Sequence, residues 1–235
     1  MLGNKSVSLC MVVYNSSIKE TYESVKEIVD EVVIIDQDSS DEFVEEYKQL
    51  ANIYVATTNK GNADFDRQFC YSLATKEYIL AMDSDEVISL EQIERLKKVA
   101  EQSFECAWFT FNNLVSSNGI TIDLKEFLGD DPHPRLWKKL IDKDGQQIPT
   151  LVWRSEAHTF PQINTQKILF AKASFTHHRQ LENILKTHLR RGKNISPQAQ
   201  GVEREFIKKL LEKFGNDIKK NMLMKLPELS DYLRG

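Results

Sequence analysis

Four short apolar runs punctuate the first third of the chain, with amphipathic stretches between them. Ser6–Tyr14 reads SVSLCMVVY, Val32–Ile35 reads VVII, Ile53–Ala56 reads IYVA and Tyr78–Met82 reads YILAM. Runs this short and this continuously apolar are strands, and Val32–Ile35 and Tyr78–Met82 read as buried ones. Helical spacing fills the intervals. Ile18, Tyr22, Val25, Ile28 and Val29 share one face, Phe43, Val44, Tyr47 and Leu50 a second, and a helix through Asp66–Ala74 leads into the fourth run. Strand and helix alternating four times confine the chain to a mostly parallel sheet with helices on both faces. In such sheets ligands bind at the carboxyl ends of the strands.

The fourth run ends on Asp83-Ser84-Asp85-Glu86. Unpaired buried carboxylates are costly, so these acids belong at the rim, neutralised by something positive. Asp83 and Asp85 stand two apart and can turn toward one ion if the strand loosens after Met82. Hard divalent cations such as Mg²⁺ or Mn²⁺ prefer oxygen ligands and are often held by one or two carboxylates plus substrate phosphates. The alternative is a solvated acidic turn that caps the next helix; the apolar strand before it favours the ion.

The totals set limits on function. The 235 residues suffice for one large domain, or a domain with an appendage. A net charge of −4 argues against nucleic-acid binding by the whole chain. No apolar stretch approaches the roughly 20 residues of a membrane span. Val7–Tyr14 lacks a signal-peptide cleavage site, and Cys10, Cys70 and Cys106 lie apart in apolar contexts. A cytoplasmic protein with reduced thiols is expected.

Local signals divide the rest. Ser17 and Glu20 have the capping-box pattern. Ser89 caps a helix with Leu90, Ile93, Leu96 and Ala100 inward. Cys106–Phe111 is a strand and Asn118-Gly119 a turn. Arg135–Leu140 and Thr150–Arg154 read as short strands joined by a hairpin-type turn at Lys143-Asp144-Gly145. Ile168–Thr176 is a last strand, ending at His177-His178. Beyond Arg179 the chain is helical, and Pro197 opens a basic helix with Phe206, Ile207, Leu210, Leu211 and Phe214 on its apolar face. Such helices either lie on an anionic membrane, where a lipid-linked acceptor would be found, or pack on the preceding domain with a solvated outer face.

Four pieces carry a family resemblance: SLCMVVYN at Ser8–Asn15, VDEVVIIDQDSSDE at Val29–Glu42, NKGNADFDRQ at Asn59–Gln68 and YILAMDSDE at Tyr78–Glu86. In this order and spacing they resemble glycosyltransferase family 2, enzymes of the GT-A fold. The likeness covers the first 90 residues well. It is looser as far as His178, where the Arg135–Lys138 strand, Glu156 and the final His are similar to bacterial lipopolysaccharide-core-type glycosyltransferases. The resemblance implies an α/β GT-A fold, a Rossmann-like mixed, mainly parallel sheet flanked by helices. The catalytic domain would span residues 1–178, with a nucleotide-binding half at 1–90 and an acceptor-side half at 91–178, followed by a helical C-terminal extension at 179–235.

What the resemblance implies about activity is metal-dependent, inverting transfer of a sugar. The donor is a nucleotide-diphosphate sugar, a UDP-sugar first, and the acceptor a hydroxyl on a glycan, lipid-linked or protein-linked. Val13, Tyr14 and Asn15 would line the base and ribose, and Asp36 would hydrogen-bond the base. Arg67 would approach the diphosphate, and Ser84 would join the nucleotide-sugar group. Asp83 would touch ribose or metal, Asp85 would ligate Mn²⁺ or Mg²⁺ directly, and His177 or His178 would complete the coordination. One departure is Asp36-Gln37-Asp38-Ser39 where the family often has Asp-Asp-Gly-Ser; Asp38 at the Gly position is tolerable because Asp can adopt the left-handed conformation.

Inverting transfer also needs a general base for the acceptor hydroxyl. Glu156, among Trp153, Arg154 and His158, is the first choice and Asp131 the second; the alternative for Glu156 is a salt bridge to Arg154 or Arg135. Two further readings stand beside the transferase. One is a phosphohydrolase of the haloacid-dehalogenase type, with Asp83-Ser84-Asp85 as its nucleophile motif. The other is a non-catalytic module that binds a nucleotide or glycan.

Overall fold

The structure is a computed structural model that describes residues 2–59, 63–129, 132–144, 146–152, 161–192 and 197–234. Its elements begin with β1 (Val7–Val13), α1 (Lys19–Val25), β2 (Glu31–Asp36), α2 (Asp41–Leu50), β3 (Ile53–Ala56), α3 (Asp64–Leu73) and β4 (Tyr78–Ala81). There follow β5 (Glu86–Val87), α4 (Leu90–Ala100), β6 (Cys106–Ser117), β7 (Ile120–Asp123), α5 (Lys125–Leu128), β8 (His133–Lys138), β9 (Leu140–Ile141) and β10 (Gln147–Ile148). The chain continues through β11 (Leu151–Val152), β12 (Gln162–Ile163), β13 (Ile168–Gln180), α6 (Leu181–Gly192), α7 (Pro197–Phe214), α8 (Asn216–Lys225) and α9 (Glu228–Arg234).

The main sheet runs β3-β2-β1-β4-β8-β6-β13-β5, with β7 paired to β6. β1, β2, β3 and β4 are parallel. β1, β2 and β4 are buried along their whole length, as their apolar sequences require. β8 enters antiparallel between β4 and β6, with Ile79 opposite Trp137 and Leu80 opposite Leu136. This is the mixed, mainly parallel α/β sheet expected from the alternating pattern.

The chain divides into two compact units. The first comprises Met1–Phe111 and Asp131–Thr176; the second comprises Asn112–Asp130 and His177–Gly235. The first has a core on each face of the sheet. Leu9, Met11, Ile34 and Leu80 lie on one side, with Ile18, Ile93 and Leu96 from the helices; Cys10, Val33, Ile35, Ile79, Cys70 and Trp137 lie on the other. In the second, Ile207, Leu210, Leu211 and Phe214 of α7 pack with Leu181, Leu185, Ile218 and Leu229. The apolar face of α7 is thus consumed by that unit's own core. Among the described residues, no helix is long and apolar enough to cross a membrane.

Several local expectations change. The Ser17–Glu20 capping box does not form. Glu46 of α2 takes over, accepting the Ser17 hydroxyl at 2.9 Å and the Ile18 N–H at 2.6 Å. Ser89 does cap α4, accepting the Gln92 N–H at 3.4 Å, yet Leu90 is 78% exposed because the first turn overhangs the sheet contact that begins at Ile93. The expected pairing of Arg135–Leu140 with Thr150–Arg154 gives way to two small hairpins, β9–β10 and β11–β12, because β8 is drawn into the main sheet. The last strand runs beyond His177-His178 to Gln180. Asn118 and Gly119, at φ 48° and 79°, form a tight turn between β6 and β7 of the kind that suits strand twist.

Candidate active site

The site grows from the carboxyl ends of three adjacent parallel strands. Val13 of β1 stands opposite Asp36 of β2, and Cys10 stands opposite Ala81, two residues before Asp83. The loops after β1 and β2 are laced together. The Asn15 N–H donates to Ser39 Oγ and the Ser40 N–H donates to Asn15 Oδ1, both at 2.8 Å. Asn15 and Asp38 both adopt positive φ, 44° and 68°, so Asp38 takes the left-handed conformation anticipated for it. Tyr14 stays half-exposed beside this loop.

Asp36 is buried at the end of β2. Its Oδ2 accepts the Tyr54 hydroxyl at 2.8 Å and its Oδ1 accepts the Ser39 N–H at 3.0 Å. Burial pushes the Tyr54 phenol up to about 12, and its hydrogen bond to Asp36 adds to the effect. Tyr54 therefore stays a neutral donor. The neighbouring Gln37 explains the departure from an acidic pair: its amide donates to Asp66 Oδ2 at 2.7 Å, with both residues buried. A second carboxylate at position 37 would face that of Asp66.

The acidic turn after β4 is anchored on both sides. The Ser16 hydroxyl donates to Ser84 Oγ at 2.8 Å, and Thr21 donates to the Ser84 carbonyl at 2.9 Å. Asp83 Oδ1 pairs with Arg67 Nη2 at 2.7 Å, and Asp83 Oδ2 with Arg135 Nη2 at 3.3 Å. Arg67 Nε also binds Asp64 Oδ1 at 2.8 Å. Arg135 Nη2 makes a very short contact with Glu86 Oε1, and Glu86 Oε2 accepts the Asp83 N–H at 3.0 Å. Burial works against the charge of Arg67, but Asp83 and Asp64 outweigh it and hold the guanidinium well above its ordinary value. Arg135 is likewise raised, Glu86 and then Asp83 outweighing burial. Asp85 is exposed at the tip of the turn.

The polar atoms here are not all used. Among the described residues, the hydroxyl of buried Tyr71 and the Nε of Arg135 have no hydrogen-bond partner. Tyr71 stacks edge-on against Trp137 at 4.9 Å. Burial raises its phenol strongly, with the charge of Arg67 offsetting part of the effect.

The structure thus gathers Val13, Tyr14, Asn15, Asp36, Arg67, Asp83, Ser84 and Asp85 in the first unit. His177 belongs to the second unit, buried with Nδ1 3.2 Å from Asn113 Oδ1, while His178 is exposed, as alternate positions on a strand should be. Glu156 and Asp131 lie outside the described residues. Sequence reasoning places Glu86 among the rim acids and Arg135 only as an alternative salt-bridge partner of Glu156; instead Glu86 is fully buried and Arg135 pairs with it. Arg135 reaches the turn only through the antiparallel insertion of β8, which no local pattern announces.

A divalent cation is the group the sequence resemblance implies. Among the described residues, no group of three or more His, Cys, Asp or Glu comes together to hold one. Mg²⁺ and Mn²⁺ need no such cage where substrate phosphates and water complete the shell. The exposed Asp85 carboxylate, beside an Asp83 already compensated by two guanidinium groups, fits a cation of that kind.

The sequence model described as glycosyl transferase family 2 matches residues 8–154, more than half of the chain. The chain belongs to glycosyl transferase family 2. It is a glycosyltransferase of the GT-A fold, and family 2 membership displaces the phosphohydrolase reading. Among solved structures, S. aureus TarS 1–349 in complex with UDP-GlcNAc is 18% identical, with 97% of this chain and 79% of that one covered at a TM-score of 0.52. A second TarS 1–349 structure is 17% identical over 86% of this chain and 70% of its own, at 0.47. The mannosyltransferase PcManGT from Pyrobaculum calidifontis, in complex with GDP-Man and Mn²⁺, is 19% identical over 44% of this chain and 34% of its own, at 0.35. The first of these establishes a common fold. No curated protein sequence matches the chain significantly.

Proposed function

We propose that this family 2 enzyme moves a sugar from a nucleotide-diphosphate sugar to a hydroxyl acceptor, with inversion and with a divalent cation at Asp85. The observation that carries the reading is the acidic turn at the carboxyl end of β4, its Asp83 held between Arg67 and Arg135 and its Asp85 exposed. Val13, Tyr14 and Asn15 would frame the base and ribose, and Asp36 retains a lone pair on each oxygen for the base. Arg67 supplies positive charge toward the diphosphate, and Ser84 borders the sugar. The carboxylate of Glu156, or failing it Asp131, would take the acceptor proton as that oxygen attacks the anomeric carbon. The bond from that carbon to the diphosphate oxygen breaks, and the nucleoside diphosphate leaves. When bound, the cation offsets the charge gathering on that leaving group. TarS was solved with UDP-GlcNAc, which makes a UDP-sugar the donor to try first.

The test is a thermal-shift panel of nucleotides and nucleotide-sugars with and without Mn²⁺, on wild type and Asp85→Ala. A ligand that binds only the folded state raises the melting temperature by mass action. Cation-dependent stabilisation by one nucleoside diphosphate, lost in the variant, is the expected result. No shift from any nucleotide would overturn the reading, and binding without transfer or hydrolysis would favour a binding module.

A further inference from the structure

We propose that Glu86 and Arg135 are a positioning pair that sets the Asp85 carboxylate for the cation. The inference deepens the function proposed above and rests on it. Glu86 is completely buried at the start of β5, and its side chain turns back beneath the acidic turn. One oxygen accepts the Asp83 N–H at 3.0 Å and the other meets Arg135, whose Nη2 also reaches Asp83 Oδ2 at 3.3 Å. Both ends of the turn, residues 83 and 86, are therefore tied to one guanidinium on β8. Ser84 is tied separately by Ser16 and Thr21. Asp85, between Ser84 and Glu86, is exposed.

Stability alone is a poor reason for this arrangement. A buried ion pair contributes little net stability compared with an apolar pair of the same size, because both charges lose their hydration. The pair does something an apolar pair cannot: it fixes the backbone entering the turn and the side chain of Asp83 at once. Arg135 is itself constrained, with Cζ 5.1 Å from the centre of the Phe111 ring. Both carboxylates are met by the single Nη2 of a planar guanidinium held over the Phe111 ring, a plane that a lysine ammonium on its flexible stem does not have.

The experiment compares the full-length wild type, Glu86→Gln, Arg135→Lys and the double variant Glu86→Leu/Arg135→Met. Melting temperature is read without ligand, and Mn²⁺ affinity is read by the electron paramagnetic resonance of free Mn²⁺ in the presence of UDP. In the double variant the melting temperature should stay near that of wild type, while Mn²⁺ affinity falls about 10- to 100-fold, the usual cost of losing the groups that orient a metal ligand. Arg135→Lys should fall between. If the double variant does not fold, Glu86→Gln carries the test, because its amide keeps the size and can still accept the Asp83 N–H. Wild-type Mn²⁺ affinity in the folded variants overturns the positioning pair alone. A wild type that binds UDP equally with and without Mn²⁺ overturns the cation reading, and this inference with it.

Discussion

The two rims of the parallel sheet both bury carboxylates, and they compensate them by different means. At the amino rim, Glu31 opens β2 and is 6% exposed. Its partners are neutral: the Ser8 hydroxyl at 2.5 Å, and the Thr75 hydroxyl at 2.5 Å and N–H at 2.8 Å. These bonds clamp β1, β2 and the approach to β4 to one another. At the carboxyl rim, Asp64, Asp83 and Glu86 are met by the two guanidinium groups of Arg67 and Arg135, with Asp85 exposed beside them and the Tyr71 hydroxyl and Arg135 Nε unpartnered among the described residues. Neutral donors satisfy a charge once and leave nothing over. Fixed cations beside an exposed carboxylate form an electrostatic surface of the kind with which preorganised sites stabilise developing charge.

This contrast can be broken by substitution. Removing the proposed base should cost most: Glu156→Gln is expected to lower kcat about 10²- to 10⁴-fold with donor KM little changed, and Asp131→Asn less, in initial-rate assays of sugar transfer. Retained turnover in both would remove them from the mechanism. Asp85→Ala should lower turnover about 10²- to 10³-fold while its ligand-free melting temperature stays close to wild type. At the amino rim the pattern should reverse. Glu31→Gln should cost about 2 kcal/mol in denaturant unfolding at neutral pH, the scale of a hydrogen bond to a charged group, and leave turnover of the folded enzyme unchanged.

The pH dependence sharpens the comparison. Burial alone would raise the Glu31 pKa, but the bonds from Ser8 and Thr75, with the charge of Lys76, more than reverse it and hold it below its ordinary 4.5. A depressed folded pKa means the contribution is complete above the ordinary glutamate range and disappears as pH falls through the folded value. Wild type and Glu31→Gln should therefore differ by a steady amount above the ordinary glutamate range and converge as pH falls below 4.5 through the folded value. A difference that persists in acid would contradict the clamp. The smallest effect is expected from Asp38→Gly. Glycine relieves the positive φ of 68° but adds freedom to the unfolded chain, so stability should change by less than about 1 kcal/mol.

Much of the first unit was legible because its signals are local. The runs at Val7–Val13, Ile53–Ala56 and Tyr78–Ala81 declare strands by continuous apolarity. Asp38 announces a left-handed turn by its chemistry; in the second unit, Pro197 opens α7 by its fixed φ. The site residues at the ends of β1, β2 and β4 follow, because a parallel sheet brings the carboxyl ends of its strands together. Errors arose where a distant group competed with a local one. Glu46 displaced Glu20 as the partner of Ser17 because α2 packs its carboxylate against the start of α1. Leu90 follows the helical period yet faces water, since periodicity gives a face and not where the neighbouring sheet stops.

By itself, the sequence determined the parallel half of the sheet, its order of strand and helix, and an acidic rim awaiting positive charge. It did so because hydrophobic period and turn chemistry act within a few residues. Only the tertiary structure decided which charges meet. Arg135 lies 52 residues from Asp83 and reaches it because β8 runs antiparallel beside β4, a pairing set by the packing of Trp137 and Leu136 against the sheet's core. Ion pairing depends on distance in space, and that distance exists only once the sheet has closed.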